Sequence, residues 1–190
     1  LLARKFIVFC VILVFLLLIP ATANALTRED VLDRANSWIE KEIMYSQSQW
    51  YENYRQDCSG FVSMCLILDT SYTTRSIDSV LTEISFSELN PGDVLWKQGH
   101  VALFVKWEDN ENILIAHTNA TGTPAHYDIV RASSYSKAYT LPGITTRYQE
   151  QQAKIEAAKQ ELQKTLNELM FNFQFFKASS ISDLKENNEG

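Results

Sequence analysis

From Thr27 the apolar positions fall at helical spacing: Val31, Leu32, Ala35, Trp38, Ile39 and Ile43 recur every three or four residues. That period predicts a helix over 28–44, with Thr27 as its cap and Glu29 and Asp30 in the first turn. Residues 45–55 are polar and aromatic and read as a loop, whose Tyr45, Trp50, Tyr51 and Tyr54 either line a cleft or cover the first helix. A second helix opens at Cys58-Ser59-Gly60 and runs into the apolar stretch from Phe61 to Leu68. After a turn at Asp69–Arg75, Ile77–Ile84 reads as a short helix or irregular segment, and Asn90-Pro91-Gly92 is a turn. The pattern then changes to short runs of branched and aromatic residues. These predict strands at 93–97, 100–107, 112–118 and 126–131, separated by Glu108-Asp109-Asn110 and by Ala120–Pro124. Helices followed by short antiparallel strands make an α+β domain, spanning 26–147.

The two ends of the chain have different patterns. Arg4 and Lys5, an apolar run from Phe6 to Ile19, Pro20 and Ala23-Asn24-Ala25 read as a signal peptide over 1–25. The run is short of the roughly 20 residues of a membrane span, so an uncleaved anchor is the weaker reading. At the other end, residues 148–178 hold no Pro or Gly, and Ile155, Ala158, Leu162, Leu166, Leu169, Phe173 and Phe176 keep helical intervals. The segment 150–176 reads as one amphipathic helix of coiled-coil character, about 40 Å long at about 1.5 Å per residue. Its Phe-rich end is expected to contact a second copy or the domain itself, unless the helix simply packs. Residues 179–190 read as a polar, disordered tail.

Charge removes one class of function. The chain carries a formal net charge of −6 with no Lys/Arg cluster, so it lacks the electrostatic footprint of a nucleic-acid binder. No metal-ligand spacing is present and no cofactor is expected. Beyond the leader, which holds Cys10, the cysteines are Cys58 and Cys65. Seven residues apart on one helix they stand roughly 10 Å apart, too far for a disulfide. Cys65 falls on an apolar face and reads as core.

Cys58 is the candidate nucleophile. In the first turn of a helix, unpaired N–H groups and the helix dipole favour the thiolate, so a depressed pKa is expected. His100 opens a strand after Pro-Gly-Asp and is the candidate base, and His117 on the next strand is the candidate orienting group. If the two histidines pair across a hairpin, the residue numbers of partners sum to 217, which centres the turn near Trp107–Asn110. Asn119 shares the strand face of His117 and is the alternative third residue. His126, after a Pro-containing loop, reads as a surface residue. Cysteine, histidine, then a polar residue is the chain order of papain-like thiol hydrolases. Asp57, just before the helix, reads from its position as the N-cap.

The blocks Asp57-Cys58-Ser59-Gly60-Phe61-Val62, Pro91-Gly92-Asp93-Val94 and Gly99-His100-Val101-Ala102-Leu103-Phe104-Val105 resemble the NlpC-type cell-wall cysteine peptidases, over roughly Tyr45 to Arg131. The resemblance implies a papain-like domain with its helices packed on an antiparallel sheet, and hydrolysis of amide bonds in peptidoglycan stem peptides. It also implies a secreted or cell-envelope location and substrate contacts from Asp57, Ser59 and Tyr54 or Tyr51. Two other readings stay open: a wall-associated binding protein that acts through its C-terminal helix, and a thiol acyltransferase of the same fold.

Overall fold

In a computed structural model of the chain, residues 25–186 are described, with side chains up to 174. The expected leader, apart from Ala25, lies outside them. Helix α1 spans Arg28–Glu40. Thr27 caps it reciprocally: Asp30 N–H donates to Thr27 Oγ1 at 3.2 Å, and Thr27 N–H donates to Asp30 Oδ2 at 3.0 Å. The helix stops short of residue 44, because Glu42 takes φ 51° and Ile43 N–H turns back to the Trp38 carbonyl. Helix α2, Cys58–Cys65, is buried along its whole length and capped by Asp57.

The segment read as a loop contains a small hairpin, β1 Trp50–Tyr51 with β2 Tyr54–Arg55. Glu52 and Asn53 turn it with φ 49° and 68°, so a left-handed turn forms without glycine. The main sheet has six antiparallel strands: β3 Thr82–Ile84, β4 Val94–Lys97, β5 His100–Trp107, β6 Asn112–His117, β7 His126–Arg131 and β8 Lys137–Thr140. Their spatial order is β3-β8-β4-β5-β6-β7. The four strands expected from the sequence are the meander β4–β7. β3 and β8 are additions, three and four residues long, and each is too short to show a period.

Side chains alternate between two cores, as strand geometry requires. Val94, Val101, Leu103, Ala116 and Tyr139 pack with Phe61, Val62, Met64 and Cys65 of α2 and with Val31, Ala35 and Trp38 of α1. Leu95, Ala102, Phe104, Ile113 and Ile115 face the other way, against Leu89, Ala132 and Tyr135. Arg28 fastens α1 to the turn before β4, donating to Asp93 Oδ1 at 2.7 Å and to the Pro91 carbonyl at 3.0 Å. This is the α+β layering expected of the chain, with the cysteine helix laid against the sheet.

Helix α3 spans Arg147–Glu186. It is tied down at its start, where Arg147 N–H donates to Glu29 at 3.0 Å and the guanidinium pairs with Asp30 at 2.8 Å and with Asp33. From Gln151 to Gln174 its side chains are exposed except for a half-buried Thr165, so this stretch does not pack on the domain. The helix runs to Glu186, and no Pro or Gly stands in 179–186 to break it; residues 187–190 of the expected tail lie outside the described residues. No helix among the described residues is long and apolar enough to cross a membrane.

Candidate active site

Asp57 sets the cysteine in place. Its Oδ1 accepts from Gly60 N–H at 2.7 Å and from the Ser59 hydroxyl at 2.9 Å, and its Oδ2 accepts from Arg55 Nε at 2.7 Å. The Arg55 guanidinium continues to the carbonyl of Tyr72 at 2.8 Å and to Ser59 Oγ at 3.3 Å. Tyr54 donates its hydroxyl to the Leu68 carbonyl at 2.6 Å, joining β2 to the segment that follows α2. Asp57, Ser59 and Tyr54 are therefore engaged in holding α2. The cap reading of Asp57 is the one the geometry displays, and each of the three side chains makes a hydrogen bond within the fold.

Cys58 stands at the first position of α2, buried and free, as is Cys65. The backbone N–H groups of Val101, of Ser59 and of its own residue lie near enough to pull its thiol pKa down. These donors favour the thiolate, but burial outweighs them and the Asp57 charge adds to it, so the thiol pKa is raised and not depressed. The expectation from the helix terminus alone is corrected: a helix dipole stabilises a thiolate less than the loss of water destabilises it here. Iodoacetamide alkylation of Cys58 should consequently accelerate only above the pH range of an exposed thiol. Rapid labelling at pH 7 would contradict that. Cys65, wholly buried, should label only on unfolding.

His100 begins β5 and its Nε2 lies 3.1 Å from His117 Nδ1, at the end of β6. The contact expected from the sequence is present, but the register is not the expected one. Leu103 pairs with Ala116 and Phe104 with Ile115, and a bulge follows at Phe104–Lys106. Partners near the site thus sum to 219, two more than the 217 that direct pairing requires. Extended to the strand ends, this register sets Asn119 across from His100, and His117 reaches His100 diagonally. The cause is the turn. Asp109 Oδ1 accepts from both Glu111 and Asn112 N–H, at 2.8 and 2.7 Å, which moves the turn centre towards Asn110.

His126, read from the sequence as a surface residue, belongs to the same row. It pairs with His117 across β6 and β7, and its Nε2 is 3.2 Å from His117 Nε2. Its Nδ1 is 2.8 Å from the Pro124 carbonyl. The hairpin arithmetic applied to the first turn would have found it, since 117 and 126 are symmetric about Thr121–Gly122, where Gly122 takes φ 84°. Asn119 Nδ2 stands 3.5 Å from His117 Nε2. Tyr135 also went unnoticed in the sequence. Its ring centroid is 6.3 Å from that of His100, burial pushes its phenol pKa up, and Lys97 Nζ lies 4.9 Å over its ring. Among the described residues no hydrogen bond joins Cys58 to His100. Cys58 instead packs in one core cluster with Val101, the next residue in β5, and catalytic hydrogen bonds often tighten only when substrate is bound.

Burial pushes the pKa of His100 down to about 4, helped by the neighbouring His117 and Lys97. The pKa of His117 falls to about 4 for the same reason, with His126 beside it. Both rings are neutral at pH 7, the form a general base needs. Above about pH 6.5 they are neutral in the folded and unfolded chain alike. Between pH 6.5 and about 4 only the unfolded chain takes up these protons, so stability should fall as pH falls through that window. Discounting for the water that reaches part of each ring, the loss is about 3 kcal/mol for the pair. Denaturant titrations at pH 7 and pH 4.5 measure it, and equal midpoints in His100→Gln/His117→Gln and in the parent would contradict the assignment.

Among the described residues no group of His, Cys, Asp and Glu is placed to hold a metal ion. No protein-family model matches the chain. No curated protein sequence matches it either. Among solved structures the chain is similar to the crystal structure of the NlpC/p60 domain of the peptidoglycan hydrolase SagA. The identity is 20%, the TM-score 0.45, and the match covers 61% of this chain and 100% of that one. That likeness is too remote to assign an activity.

Proposed function

We propose that this protein is a cell-envelope thiol hydrolase, an endopeptidase or amidase that cuts an amide bond in peptidoglycan stem peptides. The observation that carries the reading is the hydrogen bond of 3.1 Å between His100 and His117, set beside a cysteine at the N-terminus of a helix that packs on the strand bearing His100. With Nε2 committed to His117, His100 has Nδ1 left to receive the Cys58 proton. The thiolate then attacks the amide carbonyl, and the Cys58 N–H at the helix start faces the oxygen that gains charge. His100 returns the proton to the leaving amine. A water, deprotonated by the same nitrogen, then cleaves the thioester.

A neutral thiol beside a neutral imidazole fits this order, because the proton moves only when an acyl group is there to be attacked. The choice of peptidoglycan peptides as substrate, and export to the envelope, follow from the sequence blocks around Cys58 and His100 that resemble NlpC-type peptidases. A second amine or hydroxyl in place of water would make the same centre an acyltransferase. Tyr54, Asp57 and Ser59 act first as supports of α2, and any contact with a free amino end is through the lone pairs their internal bonds leave. For α3, exposed Leu162, Leu166, Leu169, Phe171 and Phe173 support a role in self-association or partner contact.

The test is mass spectrometry of purified muropeptides after incubation with the protein and with Cys58→Ala. New fragments formed by the first and absent with the second are expected. No fragments from either, with retention of the protein on insoluble peptidoglycan, would favour the binding reading, and fragments joined to an added amine would favour acyl transfer.

A further inference from the structure

The tautomer of a neutral histidine is set by the hydrogen bond that one of its nitrogens makes, and a row of three histidines passes that choice along. The row here ends on a group with no choice. The Pro124 carbonyl can only accept, so the nitrogen 2.8 Å from it, His126 Nδ1, carries hydrogen. His126 Nε2 is then a lone pair, and His117 Nε2, at 3.2 Å, donates to it. His117 Nδ1 is left as a lone pair and accepts from His100 Nε2 at 3.1 Å. His100 Nδ1 ends with a lone pair, the form that takes the thiol proton. We propose that His126, fixed by the Pro124 carbonyl, is a positioning residue that sets the tautomers of His117 and His100 and so keeps His100 Nδ1 free to act as base. The proposal rests on the reading of His100 as the base.

The carbonyl that starts the row is itself held. Thr123 accepts from Tyr45 N–H at 3.0 Å, and Ala125 donates its N–H to the Ile43 carbonyl at 3.1 Å, so both neighbours of Pro124 are bonded to the segment after α1. Pro124 also bridges Met44 in that segment. The turn before it closes through Thr123 N–H to the Ala120 carbonyl at 3.0 Å. One rival exists. If Asn119 Nδ2, at 3.5 Å, donated to His117 Nε2, the tautomers of His117 and His100 would reverse and His100 Nδ1 would carry hydrogen. His126 is the closer neighbour, and reversal would leave its Nε2 facing another lone pair, which is repulsive.

Long-range 1H–15N correlation spectra of the 15N-labelled protein at pH 8 read each tautomer directly. The expected pattern is Nε2–H for His100, Nε2–H for His117 and Nδ1–H for His126. His126→Phe, which keeps a ring but no nitrogen, should leave His100 as a mixture of tautomers. Its kcat for muropeptide cleavage should drop by about 10- to 100-fold with KM unchanged. His126→Gln, whose side-chain oxygen replaces the Nε2 lone pair, should restore most of kcat, whereas His126→Asn should not. An Nδ1–H tautomer of His100 in the parent protein would overturn the proposal, even if no variant folded. So would a folded His126→Phe with an unchanged His100 tautomer. Because the spectra need no substrate, they stand apart from the assignment of the reaction, which fails separately if Cys58→Ala remains active.

Discussion

Gly60→Ala is expected to destabilise the protein by about 3 kcal/mol or more and to abolish activity, although alanine is the better helix former. Gly60 lies in the first turn of α2. A Cβ built there falls 1.9 Å from the Arg55 carbonyl oxygen, 2.7 Å from its carbon and 2.9 Å from its nitrogen. All three are backbone atoms, so no side chain can rotate away. Relief requires Arg55 to move, and the Arg55 guanidinium holds Asp57, Ser59 and the Tyr72 carbonyl. Asp57 in turn caps the helix through Gly60 N–H. One methyl group thus unseats the cap and the residue next to Cys58. For a chain of this size the melting temperature should fall by roughly 10 °C. Gly99→Ala is the contrast: nothing lies within 4 Å of its Cβ, and only its φ of 79° opposes the change, so about 1 kcal/mol is expected. A Gly60→Ala protein as stable as its parent would show that the approach of β2 to α2 is looser than described.

His100→Ala should lower kcat on muropeptides by about a thousandfold or more, with a far smaller change in stability and in KM. Without His100 the Cys58 proton has no acceptor, since burial raises the thiol pKa and the three backbone N–H groups around it cannot take a proton. The leaving amine also loses its acid. His117→Ala should also lower kcat, by about ten- to ten-thousand-fold, because it removes the orientation of the base. Asn119→Ala should be milder, given its 3.5 Å distance from His117 and the closer His126. Circular dichroism of each variant separates catalysis from unfolding. Full activity of His100→Ala would remove the base from the account.

The division between what the sequence displayed and what it hid follows from length and from solvent. Long periodic segments were legible: α1 with its Thr27 cap, the apolar α2, and the four strands from Val94 to Arg131. Strands β3 and β8 were not, because three or four residues show no period, and β8 pairs with elements about 40 to 60 residues away. Cys58, His100 and His117 could be picked out by type and order, and the fold brings the two histidines together. The register between them could not be had by symmetry alone, since the Asp109 side chain lengthens the turn. The Cys58 pKa was missed because the helix terminus is visible in sequence, whereas the burial that opposes it is a property of the packed chain. His126 was overlooked because a polar loop precedes it, yet Ile43–Tyr45 folds over that loop and encloses it.

The central claim is that Cys58 Sγ forms a thioester with the acyl half of a peptidoglycan peptide while His100 handles the proton. Acid-quenched mixing of the protein with muropeptides, followed by intact mass and peptide mapping, tests it most directly. The account predicts an added mass equal to the acyl fragment, located on the peptide containing Cys58, absent in Cys58→Ala and slow to form in His100→Ala. Cleavage products that accumulate with no adduct on Cys58, and that persist in Cys58→Ala, would contradict it.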